Sequence, residues 1–478
     1  MTGDDVPVPA RGTLPVMICL SLAAFMSTLD TIMVSISLPT IAGDLHVTTA
    51  LASWILITSM LVSSSFLMAL GSLGDKFGHR RVLLIGFAIF SLSSLLSGFA
   101  ADIRYLLLLR IFIGIGAGTV MALSPALVAT VLPQSVRGKA FGLIAASASV
   151  ALIIGPLIGG YITGHFSWSG IFFVNVPVGI AAIVLASLFI PARIPPARAR
   201  FDYPAAFLLF FSLAGLLFCL NAGELGAAFA GMVLPVLLVS IVLGAIFVWH
   251  EQRTEHPMIP LRLFRKLPFT SSVFAALAMM TAYGGVILIF PFFFESVWML
   301  SPEKSGSLLV AASIGLLLAS MITGGLVDRI GYYRPAIIAT LVAIAGSVAV
   351  LTLGVNVVVL PALLGLFLFG AGSGGFYPPN ISLVMGYAPK GDEGAVSGIL
   401  MTMRMLGQAA GFALYGAVFS YFADRAAGGV FSGPGTVAPD ALMPGFSVAF
   451  VVTLLLLVIT LALVFMARED QKSMAVLG

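Results

Sequence analysis

Long apolar runs, separated by short breaks that are charged or rich in glycine and proline, cover most of the chain. Each run is long enough for a helix of about 20 residues, the length that crosses the hydrocarbon core of a bilayer. The pattern therefore predicts an all-α polytopic membrane protein with fourteen spans. The predicted limits are 14–38, 48–73, 82–101, 105–131, 138–164, 171–191, 203–220, 229–249, 268–297, 305–327, 335–354, 357–386, 395–422 and 445–467.

Lysine and arginine are distributed unequally between the two sets of loops that these spans define. One set holds eighteen of the 23 basic residues, and the other holds three, Arg104, Lys304 and Arg425. The remaining two, Arg110 and Arg404, fall within spans. Because basic loops stay on the cytoplasmic side of a membrane, we expect both termini of the chain to be cytoplasmic.

Two sequence patterns occur twice in the chain. The first comprises a glycine, an aspartate, a second glycine and an arginine, and it returns 253 residues later: Gly71, Asp75, Gly78 and Arg81, then Gly324, Asp328, Gly331 and Arg334. The second returns 256 residues later: Gly114, Gly116, Gly118, Pro133, Gly138 and Gly142, then Gly370, Gly372, Gly374, Pro389, Gly394 and Gly398. Internal repeats of this kind are typical of secondary transporters, whose substrate site lies between the halves.

The repeat also predicts a domain organisation, because the offset exceeds the length of six spans by about two spans. We expect two six-helix bundles related by a pseudo-two-fold repeat, with two extra transmembrane helices in the linker between them. The boundaries are a tail at 1–13, a bundle at 14–191, the linker at 192–267, a bundle at 268–467 and a tail at 468–478.

Composition excludes several classes of function. With 60% hydrophobic and 9% charged residues, the chain does not have the composition of a soluble protein. A formal charge of +4 without a basic stripe gives no signal for nucleic acid. Cys19 and Cys219 lie in separate apolar spans, so we expect no disulfide, metal site or cofactor. No nucleophile–base pair or phosphate loop stands out, so we expect no enzyme.

The first repeated pattern predicts a conformational latch. Its glycines permit tight turns and close helix approach, and an aspartate at a helix end can pair with an arginine or a helix N-terminus. A simple charged loop would not explain the duplication of Asp75 at Asp328. The motif resembles the loop signature of the major facilitator superfamily, over essentially the whole chain. The resemblance implies a monomer whose two bundles rock around a central cavity.

Asp30 and Arg110 are the candidate proton-coupling residues. Asp30 lies about 16 residues into the first span, roughly 24 Å from its start, where an acid is a functional candidate by default. The surrounding segment LDTIMVSISLP resembles L-D-x-T-I-V-N-V-A-L-P of the fourteen-helix drug:proton antiporters. Arg110 begins a segment that resembles the family's R-x-x-Q-G-x-G motif, with Ile113 in place of glutamine. Asp30 could instead be a structural partner of Arg110, and Arg110 a membrane-surface anchor.

The fifth predicted span contains Gly155, Pro156, Gly159 and Gly160. Small residues let helices pack at backbone distance, and proline bends a helix. In this position the segment resembles the antiporter signature of the superfamily's exporters. A generic kinked membrane helix is the alternative.

Further similarities to the same branch occur in two places. The stretch from Trp168 to Gly179, which includes Asn175, resembles a conserved stretch between its fifth and sixth spans. Arg404 begins a segment that resembles its R-x-L-G-x-x-x-G pattern. Arg404 could serve structure or attract an anion.

The possible substrate or cation contacts are Glu295, Arg404, Tyr283, Phe376 and Met403. Glu295 could be an acid at the membrane interface beside Trp298, or a carboxylate that captures cations at an outer mouth. Phenylalanine and methionine suit lipophilic substrates of varied shape, but they are also ordinary packing residues.

These observations favour a proton-coupled multidrug efflux antiporter of the cell membrane that exports lipophilic, often cationic compounds by alternating access. Its partners would be protons, a lipophilic small molecule and the lipid bilayer. An exporter of an endogenous lipid, metabolite or antibiotic on the same fold is the alternative, and a membrane enzyme or receptor is a remote one.

Overall fold

The computed structural model describes residues 12–191, 202–221, 231–254, 261–388, 393–428 and 437–467. Within them the chain forms fourteen α-helices and one short 3-10 helix, and no β-strand occurs there. The helices are α1 Thr13–Asp44, α2 Thr49–Phe77, α3 His79–Ser97, α4 Ile103–Val131, α5 Gln134–His165, α6 Gly170–Phe189, α7 Tyr203–Asn221, α8 Val233–Arg253, α9 Leu267–Ser296, α10 Pro302–Ile330, α11 Tyr333–Leu351, α12 Val359–Gly386, α13 Glu393–Ala427 and α14 Pro439–Met466. The 3-10 helix is Leu261–Arg265. The all-α prediction is confirmed, and a helix lies at each predicted run.

Twelve of these helices are long and apolar enough to cross a membrane, judged by the described residues alone. The other two are α7, whose described apolar part is Phe207–Cys219, and α13. Arg404 and Gln408 lie near the middle of α13 and make it less apolar than its neighbours. A polytopic membrane protein is therefore supported, and twelve of the fourteen predicted spans meet these criteria in the described residues.

The helices pack in groups that follow the chain. In the first group α1 lies against α4, α5 and α6, while α4 packs on α2 and α3. Among the later helices, α12 packs on α10 and α11, and α9 packs on α13 and α14. Contacts between these groups run mainly from α2 to α13 and from α5 to α10. Helix α8 packs on α7, which rests against α2 and α13 at the edge of the molecule.

Glycines let helices approach closely, and their contacts correspond in the two halves. A side chain at Gly114 on α4 would strike the backbone of Ser59 on α2. One at Gly370 on α12 would likewise strike the backbone of Ala312 on α10. Residues 59 and 312 are separated by the offset of the first repeat, and Gly114 and Gly370 by that of the second. The close approach of each helix pair thus depends on glycine at the repeated position.

The turns after α2 and α10 contain the repeated latch motif. Gly78 has a φ of 96° and Gly331 has a φ of 77°, a conformation that residues with a Cβ rarely adopt. Each glycine donates its N–H to the helix that it ends. This explains why glycine occupies both positions.

The structure describes only some of the other residues that were predicted to form the latch. Gly71 and Gly324 lie one to two turns before the helix ends, facing α4 and α12 respectively. Arg81 and Arg334 are exposed near the starts of α3 and α11. The predicted latch also includes two aspartates, Asp75 and Asp328, whose side chains lie outside the described part of the chain.

Candidate functional site

A cavity of about 350 Å³ lies among the helices, with Asp30 of α1 in its wall. This volume is within the usual range of small-molecule sites. One side is formed by helices α1 to α5 and the other by α9, α10, α12 and α13. The lining residues are Ser27, Thr28, Asp30, Thr31, Ile32, Ser59, Met60, Ser63, Phe90, Ile113, Ala117, Met121 and Leu152 on the first side, and Met280, Tyr283, Leu316, Ser320, Tyr377, Met401, Arg404, Met405 and Gln408 on the second.

Asp30 and Arg110 form an ion pair inside the first group of helices. Arg110 Nη1 lies 2.7 Å from Asp30 Oδ2, and Arg110 is completely buried. The other guanidinium nitrogens are also engaged, since Nε donates to the Ile55 carbonyl oxygen and Nη2 to the Ser59 hydroxyl, each at 2.7 Å. Arg110 therefore does not act as a surface anchor. Ile113 offers no polar group at the position of the motif's glutamine, and the bonds from Nε and Nη2 go to α2.

Asn175 of α6 completes this polar centre. Its side-chain amide nitrogen donates to Asp30 Oδ1 and to the Ser94 hydroxyl, both at 3.1 Å. Both oxygens of the Asp30 carboxylate thus have a partner, although 145 residues separate Asp30 from Asn175. Asn175 stood out in the sequence only as part of the stretch from Trp168 to Gly179, which did not predict its contact with Asp30. The available signal was an amide side chain in the strongly apolar run 171–191.

The segment of α5 that resembles an antiporter signature lies against two other helices. A side chain at Gly155 would meet Ile32 of α1, and one at Gly159 would meet Met33, at about 3 Å in both cases. Ile32 lies two residues from Asp30. Small residues on α5 therefore bring this helix against the segment of α1 that carries the carboxylate.

The same segment of α5 also contacts α10 of the other group. A Cβ at Gly160 would lie 2.5 Å from the Pro302 carbonyl oxygen, and one at Gly306 would overlap the Pro156 carbonyl oxygen. At the opposite ends of the same two helices, Gly138 and Gly325 face open space. The two groups are thus closed against each other at the end of the molecule that contains the turn between α1 and α2. We call this contact of α5 with α10 the seal.

The second side of the cavity contains a cation. The Arg404 guanidinium lies over the Tyr377 ring, 4.4 Å from its centroid. Its Nε is buried and has no hydrogen-bond partner among the described residues. The Tyr377 hydroxyl donates to the Met280 sulfur at 2.9 Å. Tyr283 lines the cavity beside them.

Three of the five predicted contact residues lie elsewhere. Glu295 is only 4% exposed, so it is at neither an open mouth nor an accessible interface. Its carboxyl group faces Ser305 of α10 and Thr40 of α1 near the closed end. Phe376 lines a separate crevice with Asn380, and Met403 packs against the hydrophobic core. These helices are apolar on all sides, so periodicity could not indicate which face meets the cavity.

Within the residues that the structure describes, no group of three or more histidine, cysteine, aspartate or glutamate side chains could hold a metal ion.

Comparisons with known proteins agree with this architecture. The Major Facilitator Superfamily model matches residues 20–412. The riboflavin transporter RibZ of Clostridioides difficile is 30% identical over 406 residues, which cover 85% of this chain and 88% of RibZ. The multidrug resistance protein Stp of Mycobacterium tuberculosis is 29% identical over 418 residues, covering 86% of this chain and 76% of Stp.

The fold has a solved counterpart as well. A crystal structure of a bacterial homologue of the human lysosomal transporter Spinster, in an inward-facing and unoccupied conformation, superposes with a TM-score of 0.67. The identity is 17%, and the match covers 95% of this chain and 96% of that one.

The buried ion pair predicts strong energetic coupling between its two members. Asp30→Asn or Arg110→Gln alone should lower the free energy of unfolding by about 3–5 kcal/mol, because each leaves an unpaired buried group. The double variant should cost clearly less than the sum of the two single changes. Unfolding of the three purified variants in detergent would measure this, and additive losses would contradict the pairing.

The seal predicts that a bulky residue at Gly306 opens the closed end. Gly306→Val should separate α5 from α10, whereas Gly325→Val, on the same helix but facing open space, should not. A cysteine at the buried Ser305, in a chain whose Cys19 and Cys219 are replaced by serine, would report opening through maleimide labelling. We expect labelling about tenfold faster for Gly306→Val, as a clash of 1–3 kcal/mol implies. An unchanged labelling rate would contradict the role of the seal.

Proposed function

The chain belongs to the major facilitator superfamily, and we propose that it is a proton-coupled antiporter that exports lipophilic small molecules by alternating access. Family membership makes it a multi-pass membrane transporter of small molecules and not an enzyme. The proposal adds the coupling ion, the direction of transport and the class of cargo.

One observation carries the proposal: a buried carboxylate, paired with arginine, lies in the wall of the central cavity. Protonation of Asp30 would remove its charge and with it the attraction to Arg110. A proton that enters from outside and a substrate that enters from inside would then compete, because both would bind to the same conformation of α1. A single proton crossing a potential of 100 mV supplies about 2.3 kcal/mol, enough for a gradient of about 50-fold in a neutral cargo.

The seal would transmit a shift of α1 to the second group of helices. Ile32 and Met33 pack on Gly155 and Gly159, so a shift of α1 at Asp30 acts directly on α5. Helix α5 in turn forms the contact with α10 that closes one end. Under the positive-inside rule this closed end faces outward, and the cavity of the present structure would then be accessible from the cytoplasm.

We further propose that the predicted bundles, 14–191 and 268–467, are the moving bodies. The corresponding glycine contacts of α4 with α2 and of α12 with α10 support this division. In this mechanism Asp75 and Asp328 would latch the cytoplasmic ends when those ends close, with Arg81 and Arg334 as basic residues of the same motif. Function as a monomer in the cell membrane, with α7 and α8 as two additional spans, completes the proposal.

The cavity supports lipophilic cargo of moderate size. Methionine side chains line both of its sides, and such flexible, polarisable groups adapt to varied shapes. Two relatives, Stp and RibZ, are named as a multidrug resistance protein and a riboflavin transporter. Cationic drugs would need Asp30 to be released from Arg110 before it could attract them.

A second candidate is export of an endogenous lipid, metabolite or antibiotic. The specific observation in its favour is Arg404, a cation in the cavity wall that pairs with no carboxylate in the described part of the chain. A positively charged wall repels cations and leaves room for neutral or acidic natural compounds.

Proton coupling predicts that a pH gradient drives transport through Asp30. Proteoliposomes with an imposed pH gradient should accumulate ethidium, and Asp30→Asn should abolish this accumulation. Asp44→Asn, the same change at an exposed end of α1, should leave it unchanged. Transport by Asp30→Asn equal to wild type over a wide pH range would contradict the proposal. A well-folded wild-type protein that moves no ethidium would favour the second candidate.

A further inference from the structure

We propose that the cavity binds organic anions that carry an aromatic ring, and that Arg404 is the group that receives the anion. This inference rests on the proposed transport function and adds a preference within its substrate class, namely that lipophilic anions bind more tightly than lipophilic cations such as ethidium. It follows from the charges, the geometry and the aromatic surfaces of the cavity.

The wall of the cavity has a net positive charge. The cavity wall contains one carboxylate, Asp30, and one guanidinium, Arg404, among its described lining residues. Both oxygens of Asp30 are already taken, by Arg110 and by Asn175. The Asp30–Arg110 pair is neutral as a unit, so Arg404 leaves the cavity with an unbalanced positive charge. A charge in a poorly solvated site favours a ligand of opposite sign.

The geometry of Arg404 also fits a ligand. The Arg404 guanidinium stacks on Tyr377 and also meets its hydroxyl group, and Arg404 lines the cavity. Its Nε is buried and lacks a protein partner in the described residues. A planar guanidinium binds a carboxylate through two parallel hydrogen bonds, which is a stronger and more specific contact than a single bond. A carboxylate at the cavity wall would balance the charge of Arg404.

Aromatic side chains beside Arg404 indicate the remainder of the ligand. Tyr377 and Tyr283 both line the cavity, and Tyr283 stacks on Phe369 with an interplanar angle of 8°. Met280 holds the Tyr377 hydroxyl and so orients that ring. Flat rings and sulfur atoms favour contact with a planar aromatic body. The site therefore fits an aromatic ring system bearing one carboxylate or a similar anion.

The test compares two probes that share a ring and differ in charge. Binding of 2-naphthoate and of 2-naphthylmethylammonium to the purified full-length protein in detergent is measured by titration calorimetry. We expect the anion to bind more tightly than the cation. Arg404→Gln should weaken 2-naphthoate binding at least tenfold, as loss of a charge-assisted contact implies. Arg425→Gln, the same change at an exposed position of α13, should leave it unchanged.

Arg404→Lys is a second variant that keeps the test valid if Arg404→Gln does not fold. Lysine keeps the charge but loses the planar fork, so we expect binding of 2-naphthoate between that of wild type and that of Arg404→Gln. Equal or tighter binding of the cation by wild type would overturn the proposal. So would unchanged 2-naphthoate binding in a folded Arg404→Gln, or in Arg404→Lys if the glutamine variant does not fold.

Failure of this inference is separable from failure of proton coupling. The binding measurement needs no gradient and no functional Asp30. Gradient-driven transport of ethidium without binding of 2-naphthoate would leave the exporter intact and remove the anion site. Binding of 2-naphthoate without any gradient-driven transport would support the anion site and contradict proton-coupled export.

Discussion

Asp30 and Arg110 place two opposite charges in the interior of the first six helices, 2.7 Å apart and almost fully buried. Each charge would cost several kcal/mol to bury alone, so each stabilises the other, together with its hydrogen-bond partners. This pairing holds α1, α2, α4 and α6 in one arrangement, through Asp30, Ser59, Arg110 and Asn175. In the proposed mechanism a proton on Asp30 removes one of the charges and so releases this arrangement.

Close packing turns a local change into a movement of helices. The glycines of α5 leave no space between its backbone and Met33 of α1, or between its backbone and Pro302 of α10. Contacts at backbone distance cannot be stretched gradually, so they are either made or broken. The segment that resembles an antiporter signature therefore connects the ion pair to the closed end. The close packing of α5 on α1 and α10 is enough to explain why its residues there are small.

Much of the helical fold could be predicted from hydrophobic run lengths, and Asp30 and Arg110 stood out because charges are rare at membrane depth. Asn175 was missed because an amide inside a span gives a weaker signal and its partner is 145 residues away. The burial of Glu295 was not predicted, since nearness to Trp298 in sequence does not reveal that α1 and α10 cover it. Phe376 and Met403 were assigned to the cavity from residue type alone, and only the rotation of each helix decides which side chains reach it.

The central claim is that Asp30 couples transport to protons and does more than hold the helices together. Substrate exchange without a gradient, compared with gradient-driven accumulation in the same proteoliposomes, tests this directly for Asp30→Asn. Exchange needs the conformational cycle but no net movement of protons, whereas accumulation needs both. We predict that Asp30→Asn retains exchange and loses accumulation. Equal loss of both activities, or retention of both, would contradict the account.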